Sequence, residues 1–277
     1  MKIFSINDES NPFKENLGYL LYYPQSRVFI IELREDIPVR YFPLFLEHFA
    51  RNKQYTIDSR WSEKWVEQRI IPRDRQNLGA ILRDNHLKDY DPFRLLQLSR
   101  GRGAQDDCAV MPVSISDIPD WLNQRLKEKI KTVIPLPDYR LVAASYDDSV
   151  RIAKIKDLIT DVPQLLHLRN TPELYHNATV EAGGNRICWG TNISVSLPVL
   201  QRFPKLSDFS WQDIKHVISF QVIDTTEACR ILDCSRQYIH QLEKKGALST
   251  ITPHSKNHMF IRADVQNRIS HSFLAEK

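Results

Sequence analysis

The chain has 277 residues, 42% hydrophobic and 26% charged, which is long enough for two or three compact domains and far too rich in apolar residues for a disordered chain. Its 38 Lys and Arg against 34 Asp and Glu leave a net charge of +4, an excess too small to establish a polyanionic partner by itself. Four cysteines without a CxxC pair call for neither a zinc framework nor a disulfide framework.

The first 113 residues read as a mixed domain. Residues 18–23 and 28–33 are apolar, strand-like runs flanking the turn Pro24-Gln25-Ser26-Arg27, a hairpin signature. Four helical patterns follow: one around Leu44, Leu46 and Phe49, a second around Trp61, Trp65 and Ile70, a third around Leu78, Ile81 and Leu82, and a fourth around Phe93, Leu95, Leu96 and Leu98. Asp91-Pro92 is a capping residue followed by proline at the first helical position. Apolar faces of this kind are read as core.

Three stretches in this region occur in a recognisable order: residues 71–78 beginning Ile71-Pro72 and ending Asn77-Leu78, residues 87–96 with Asp91-Pro92-Phe93, and residues 102–110 with Gly103 and Asp106-Asp107. This order resembles the N-terminal subdomain of HipA-type toxin kinases. No catalytic Asp and Asn pair with a following metal-binding Asp appears downstream, so the kinase body is not expected. Some bacterial systems encode that subdomain apart from the kinase as an antitoxin. The resemblance therefore implies a HipA-type kinase as partner.

Residues 114–132 read as a linker leading into a basic amphipathic helix from Trp121 to Lys131, with Arg125, Lys127, Lys129 and Lys131 as a solvated face. Residues 133–205 read as a small α+β domain. Strands over 139–146 and 149–153 join through Asp147-Asp148, short helices begin at Ile155 and Thr171, and a second hairpin turns at Gly183-Gly184-Asn185. The order, ending on Trp189-Gly190-Thr191-Asn192, is similar to a small uncharacterised domain of bacterial regulators. That resemblance implies a packing or dimerisation scaffold rather than chemistry.

Residues 215–277 carry the clearest pattern. Asp224 caps a helix whose Glu227 completes a capping-box spacing, and Ala228, Ile231 and Leu232 form its inward stripe. After Asp233-Cys234, Ser235 caps a second helix with Ile239 and Leu242 inward and Gly246 as its left-handed stop. Two apolar runs, 248–251 and 259–261, flank turn-forming residues and predict a hairpin, and Asp264-Val265 opens a closing helix. Thr226-Glu227-Ala228-Cys229, Ser235-Arg236, Gly246-Ala247-Leu248 and Asp264-Val265 together resemble the excisionase and MerR-like winged helix-turn-helix family. Asp233 stands where the family has glycine.

The expected fold class is thus α+β and multi-domain, with the boundaries given above. The expected function is a sequence-specific DNA-binding regulator, and the resemblances together imply the antitoxin and repressor of a module that contains a HipA-type kinase. An excisionase-like architectural protein is the alternative within DNA binding. An interaction adaptor is the alternative outside it, favoured if Arg236 and Gln237 prove buried. Expected contacts to double-stranded DNA are Thr226, Ser235, Arg236, Gln237, Tyr238, His240, Gln241, Lys244 and Lys245, with His254, Lys256, His258 and Arg262 from the wing.

A palindromic operator would demand a homodimer, although no heptad run supplies a long dimerisation helix. No catalytic residue, cofactor or metal is expected: His254 and His258 lie four apart beside Pro253, outside any helix, and Gly183-Gly184 lacks the Lys-Ser/Thr of a phosphate loop. The first residues lack the apolar core of a signal peptide and no stretch is long enough for a membrane span, so the expected setting is cytoplasmic, with no membrane partner.

Overall fold

A computed structural model of the chain describes residues 1–10, 16–136, 138–204, 206 and 211–271. The last six residues of the segment assigned to the C-terminal domain lie outside these.

The first hundred or so residues alternate short strands and helices: β1 (Lys2–Asp8), β2 (Asn16–Tyr23), β3 (Val28–Leu33), α1 (Leu44–Arg51), β4 (Thr56–Ile57), α2 (Ser59–Glu67), α3 (Leu78–Asp84), α4 (Pro92–Ser99), β5 (Cys108–Val113) and α5 (Asp120–Lys127). The strands form one antiparallel sheet in the order β4-β3-β2-β1-β5, with Leu21 opposite Ile30 and Ile6 opposite Val110. Gly18 is required where it stands, because a Cβ there would meet the Glu32 carbonyl oxygen at 2.3 Å. Phe4, Ile6, Leu20 and Ile31 from the sheet pack with Leu46, Phe49, Trp65, Val66, Leu95 and Leu96 from the helices into one core. The chain divides into two compact units, Met1–Gln124 and Arg125–Lys277.

Several helical residues expected in the core are not there. Leu44 is 85% exposed, since it precedes Leu46 by two positions and so lies about 200° round the helix from it. Leu98 stands in the same relation to Leu96 and is 52% exposed. Trp61 lies at the rim of the helical layer, edge-on to Phe45 and Phe49 and partly exposed. Ile70 is buried, but beyond the end of α2.

Asp91 accepts from the Phe93 and Arg94 amides, as its capping role requires. Asp106 is structural, since its carboxylate pairs with the buried Arg69 guanidinium and accepts from the Cys108 amide at 3.1 Å. Arg69 in turn lies 3.6 Å from the Trp65 ring centroid.

In the second unit, β6 (Ile130–Pro135), β7 (Arg140–Ser145) and β8 (Val150–Lys154) form one antiparallel sheet. The helices α6 (Ile155–Leu158), α7 (Leu166–Asn170) and α8 (Pro172–His176) lead into β9 (Thr179–Val180), β10 (Arg186–Trp189) and β11 (Ile193–Ser196), a second sheet in the order β11-β10-β9, closed by α9 (Leu197–Gln201). The hairpins at Asp147-Asp148 and Gly183-Gly184 form as expected. Gly184 has φ +69°, and a Cβ there would meet the Ile130 carbonyl oxygen at 2.5 Å. Trp189 donates to the Tyr175 carbonyl at 3.0 Å and the Tyr175 hydroxyl to the Arg140 carbonyl at 2.6 Å, which ties the two sheets to α8.

The basic linker helix ends earlier than its charge pattern suggests. α5 stops at Lys127, and the β-branched run from Ile130 enters β6. Lys129 is consequently no solvated residue: it is 3% exposed, with its ammonium 2.5 Å from Asn185 Oδ1.

The remaining elements are α10 (Trp211–Gln221), β12 (Val222–Asp224), α11 (Thr225–Leu232), α12 (Arg236–Lys244), β13 (Met259–Ile261) and α13 (Arg262–His271). Helices and antiparallel sheets together make the fold α+β.

Candidate nucleic-acid interface

Asp224 ends β12 and caps α11, accepting from the Glu227 amide at 2.7 Å. The reciprocal half of a capping box is replaced by ion pairs. The Glu227 carboxylate pairs with Arg230 and, at 3.3 Å, with Arg262, because guanidinium donors offer more than a neutral amide. The helix stops at Asp233, whose φ of 48° and ψ of 51° are left-handed, and the Cys234 amide closes back on the Cys229 carbonyl at 3.0 Å. Asp fills this position at a modest conformational cost. Burial first, and Cys229 beside it, push the Cys234 thiol up.

Ser235 then caps α12, accepting from the Tyr238 amide at 3.3 Å. Ile239 points inward and is fully buried with Ala228, Ile223, Leu248, Phe260 and Val265, and Leu242 packs at the edge of that cluster. Gly246, at φ +65°, ends the turn after α12. This small core fixes the rotation of α12 about its axis, and so decides which side chains face out.

One expected element differs. Residues 248–251 do not pair with 259–261 as a strand ladder; β13 pairs instead with β12, Ile223 opposite Phe260. Residue 251 keeps a backbone bond, Ile251 N to the Met259 carbonyl at 2.9 Å. Pro253 has no amide to donate, and threonine hydroxyls take over the bridging. Thr250 donates to the Met259 carbonyl at 2.9 Å, and Thr252 accepts from the Met259 amide at 2.9 Å while donating to the Asn257 carbonyl at 3.0 Å. A tied loop over 252–258 therefore stands where a two-stranded hairpin was expected.

The outward face of α12 carries the expected side chains. Arg236, Gln237, Tyr238, His240, Gln241 and Lys244 are all exposed, with Gln237, Gln241 and Lys244 at i, i+4 and i+7 on one stripe. Arg236 donates to the exposed Thr226 hydroxyl at 3.0 Å, which orients its guanidinium from the neighbouring helix. Lys245, His254 and Lys256 are also exposed. Among the described residues, Lys244, Lys245 and Lys256 are free of ion pairs.

Three expected contacts are engaged elsewhere. Arg262 pairs with Glu227 and donates to the Phe220 carbonyl at 3.1 Å. His240 and His258 both bond the Glu243 carboxylate, at 2.9 and 2.6 Å. Glu243 was missed in the sequence: its spacing of three from His240 was visible there, but its meeting with His258 depends on the loop's path. Residues 215–271 hold eight Lys and Arg against five Asp and Glu, so most of the chain's net charge lies here.

No family model, curated protein or solved structure matches the chain.

Proposed function

We propose that the C-terminal segment is a winged helix-turn-helix-like module that binds double-stranded DNA through α12, and that the chain is a transcriptional regulator. The observation that carries this reading is the outward stripe of α12. Two amides at Gln237 and Gln241 are bidentate donors and acceptors suited to adenine edges, and cations at both ends of the helix, Arg236 and Lys244, suit flanking phosphates. Three residues, Asp233 to Ser235, the first of them left-handed, join the helix to α11, an arrangement that suits insertion into a major groove. The condition that would favour a protein adaptor, burial of Arg236 and Gln237, is not met.

Selection of duplexes from a random-sequence pool with the full chain tests this. The expected result is enrichment of a motif, abolished by the double substitution Arg236→Ala and Gln237→Ala. Gln237→Ala alone should relax discrimination at one base by about 1–3 kcal/mol. Enrichment that survives the double substitution refutes the assignment to α12.

The first unit, by its resemblance and its separate fold, is proposed to engage a HipA-type kinase, which would make the chain an antitoxin-repressor. Co-expression of Met1–Gln124 with such a kinase checks this. Rescue of growth and co-purification are expected. Failure of both refutes the partner and leaves the DNA reading intact.

A further inference from the structure

Glu243 sits on α12 with its side chain only 12% exposed, facing two imidazoles: that of His240, one turn earlier on the same helix, and that of His258, at the end of the 252–258 loop. Both rings present Nδ1 to the carboxylate, and one ligand atom from each of the three residues lies within 4.8 Å of the others. The rings stand edge to face, 5.5 Å between centroids. A largely buried carboxylate here has as its partners two rings that carry full positive charge only when protonated. A dication between the three groups would neutralise it regardless of that proton.

The geometry points to a zinc-binding site formed by His240, Glu243 and His258. Two imidazole nitrogens and one carboxylate oxygen are a donor set that zinc takes with a water in the fourth position. His240 bonds Oε2 of Glu243 and His258 bonds Oε1, and one donor atom from each residue lies within 4.8 Å of the others. With bonds of about 2.0–2.2 Å, tetrahedral ligand atoms stand about 3.3–3.5 Å apart, so shifts of at most about 1.5 Å bring the three together. His240 is half exposed, which gives the ion an entry path and its water a place. Binding is a ligand exchange without redox change. Each Nδ1 gives up its proton, a neutral ring taking it back on Nε2 and a protonated ring releasing one proton to solvent, so affinity falls with acidity.

The bound ion would clamp the 252–258 loop, with Lys256 on it, onto α12. Composition and cysteine spacing gave no hint of this, because the site is not a helical His pair and uses no thiol. The site rests on these side chains alone. A failed zinc titration leaves the DNA reading untouched, and failed duplex binding leaves the site untouched.

The test is titration of the tag-free, chelator-stripped full chain with ZnCl2 against a chromophoric competitor, with Co2+ as spectroscopic probe. One equivalent is expected to bind, raising the melting temperature, with the visible Co2+ bands of a four-coordinate N/O site and no thiolate charge transfer. Glu243→Gln and His258→Gln should each weaken binding by more than the roughly 10–100-fold that loss of a merely orienting partner costs. The double variant Cys229→Ser and Cys234→Ser should bind as the parent does. If either loop or helix variant melts early without zinc, His240→Gln, on the outer side of α12, provides the same measurement. Absence of binding, binding unchanged in His240→Gln and His258→Gln, or binding lost with the two thiols overturns the site.

Discussion

Removal of the three unpaired lysines beside α12 gives the sharpest reading of whether that face meets phosphate. Around α12 and the 252–258 loop, four cations are not held by a carboxylate: Arg236, whose bond is to the neutral Thr226 hydroxyl, and Lys244, Lys245 and Lys256. Arg230 and Arg262 are excluded because both pair with Glu227. If all four reach phosphates, the logarithm of the association constant falls with the logarithm of salt at a slope of about −3.6 per bound chain. Between 50 and 200 mM salt that is roughly a 150-fold loss of affinity. The triple variant Lys244→Gln, Lys245→Gln and Lys256→Gln leaves one contact, so its slope should be about −0.9 and its loss roughly 3- to 4-fold over the same range. Gln keeps most of each apolar stem, and all three positions are exposed, so folding should be unaffected. Fluorescence anisotropy with a labelled duplex of arbitrary sequence suffices, since this term is independent of sequence. A triple variant whose slope stays within one unit of the parent's would show that phosphate is met by another face.

Two further outcomes follow from the first unit. Asp106→Ala leaves the Arg69 guanidinium buried without its carboxylate, and should cost about 3–5 kcal/mol, read as faster hydrogen exchange of β1 and β5 across a urea series; a change below about 1 kcal/mol would mean that Arg69 finds solvent or another acceptor. Burial, reinforced by the nearby Asp106 carboxylate, pushes the Cys108 thiol up to about 12, so native protein should be alkylated at the partly exposed cysteines and not at Cys108. Because that value lies above the ordinary 9.0, the unfolded chain ionises first, and the thiol's contribution is complete below about pH 9 and lost as pH rises toward 12. Rapid native labelling of Cys108, followed by mass spectrometry, would contradict this.

Which parts of the molecule were readable in the sequence follows from how local their causes are. The cap at Asp224, the cap at Ser235 and the stop at Gly246 each depend on one residue and its neighbours within four positions, and all stand where the spacing puts them. The hairpins through Pro24-Gln25-Ser26-Arg27 and Gly183-Gly184-Asn185 are equally local. By contrast β1 and β11 are strands whose identity lies in their pairing: Lys2-Ile3-Phe4 is too short a signal until β2 and β5 flank it. Lys129 shows the same limit in charge patterning. As one of four basic residues, Arg125, Lys127, Lys129 and Lys131, it reads as solvated, yet α5 ends at Lys127 and Lys129, just ahead of β6, is buried with its ammonium on Asn185.

The C-terminal segment shows how a different strand pairing can leave the same side chains of α12 exposed. Val222-Ile223-Asp224 is three residues long and carries no alternation that would announce a strand, so the apolar run 259–261 was matched with the nearer run 248–251. With β12 as its partner, β13 closes the module from its beginning rather than from the loop: Ile223 and Phe260 enter the same core as Ile239. The rotation of α12 depends on Ile239 and Leu242 finding that core, not on which strand supplies it, so the exposed stripe from Arg236 to Lys244 is the same in either pairing. The loop fares otherwise. Freed from a ladder, 252–258 is held by two threonine hydroxyls and by His258 on Glu243, and a carboxylate on the helix thereby acquires a partner fifteen residues away. Local spacing set the face of α12, whereas the meeting of His240, Glu243 and His258 exists only because that loop returns to the helix.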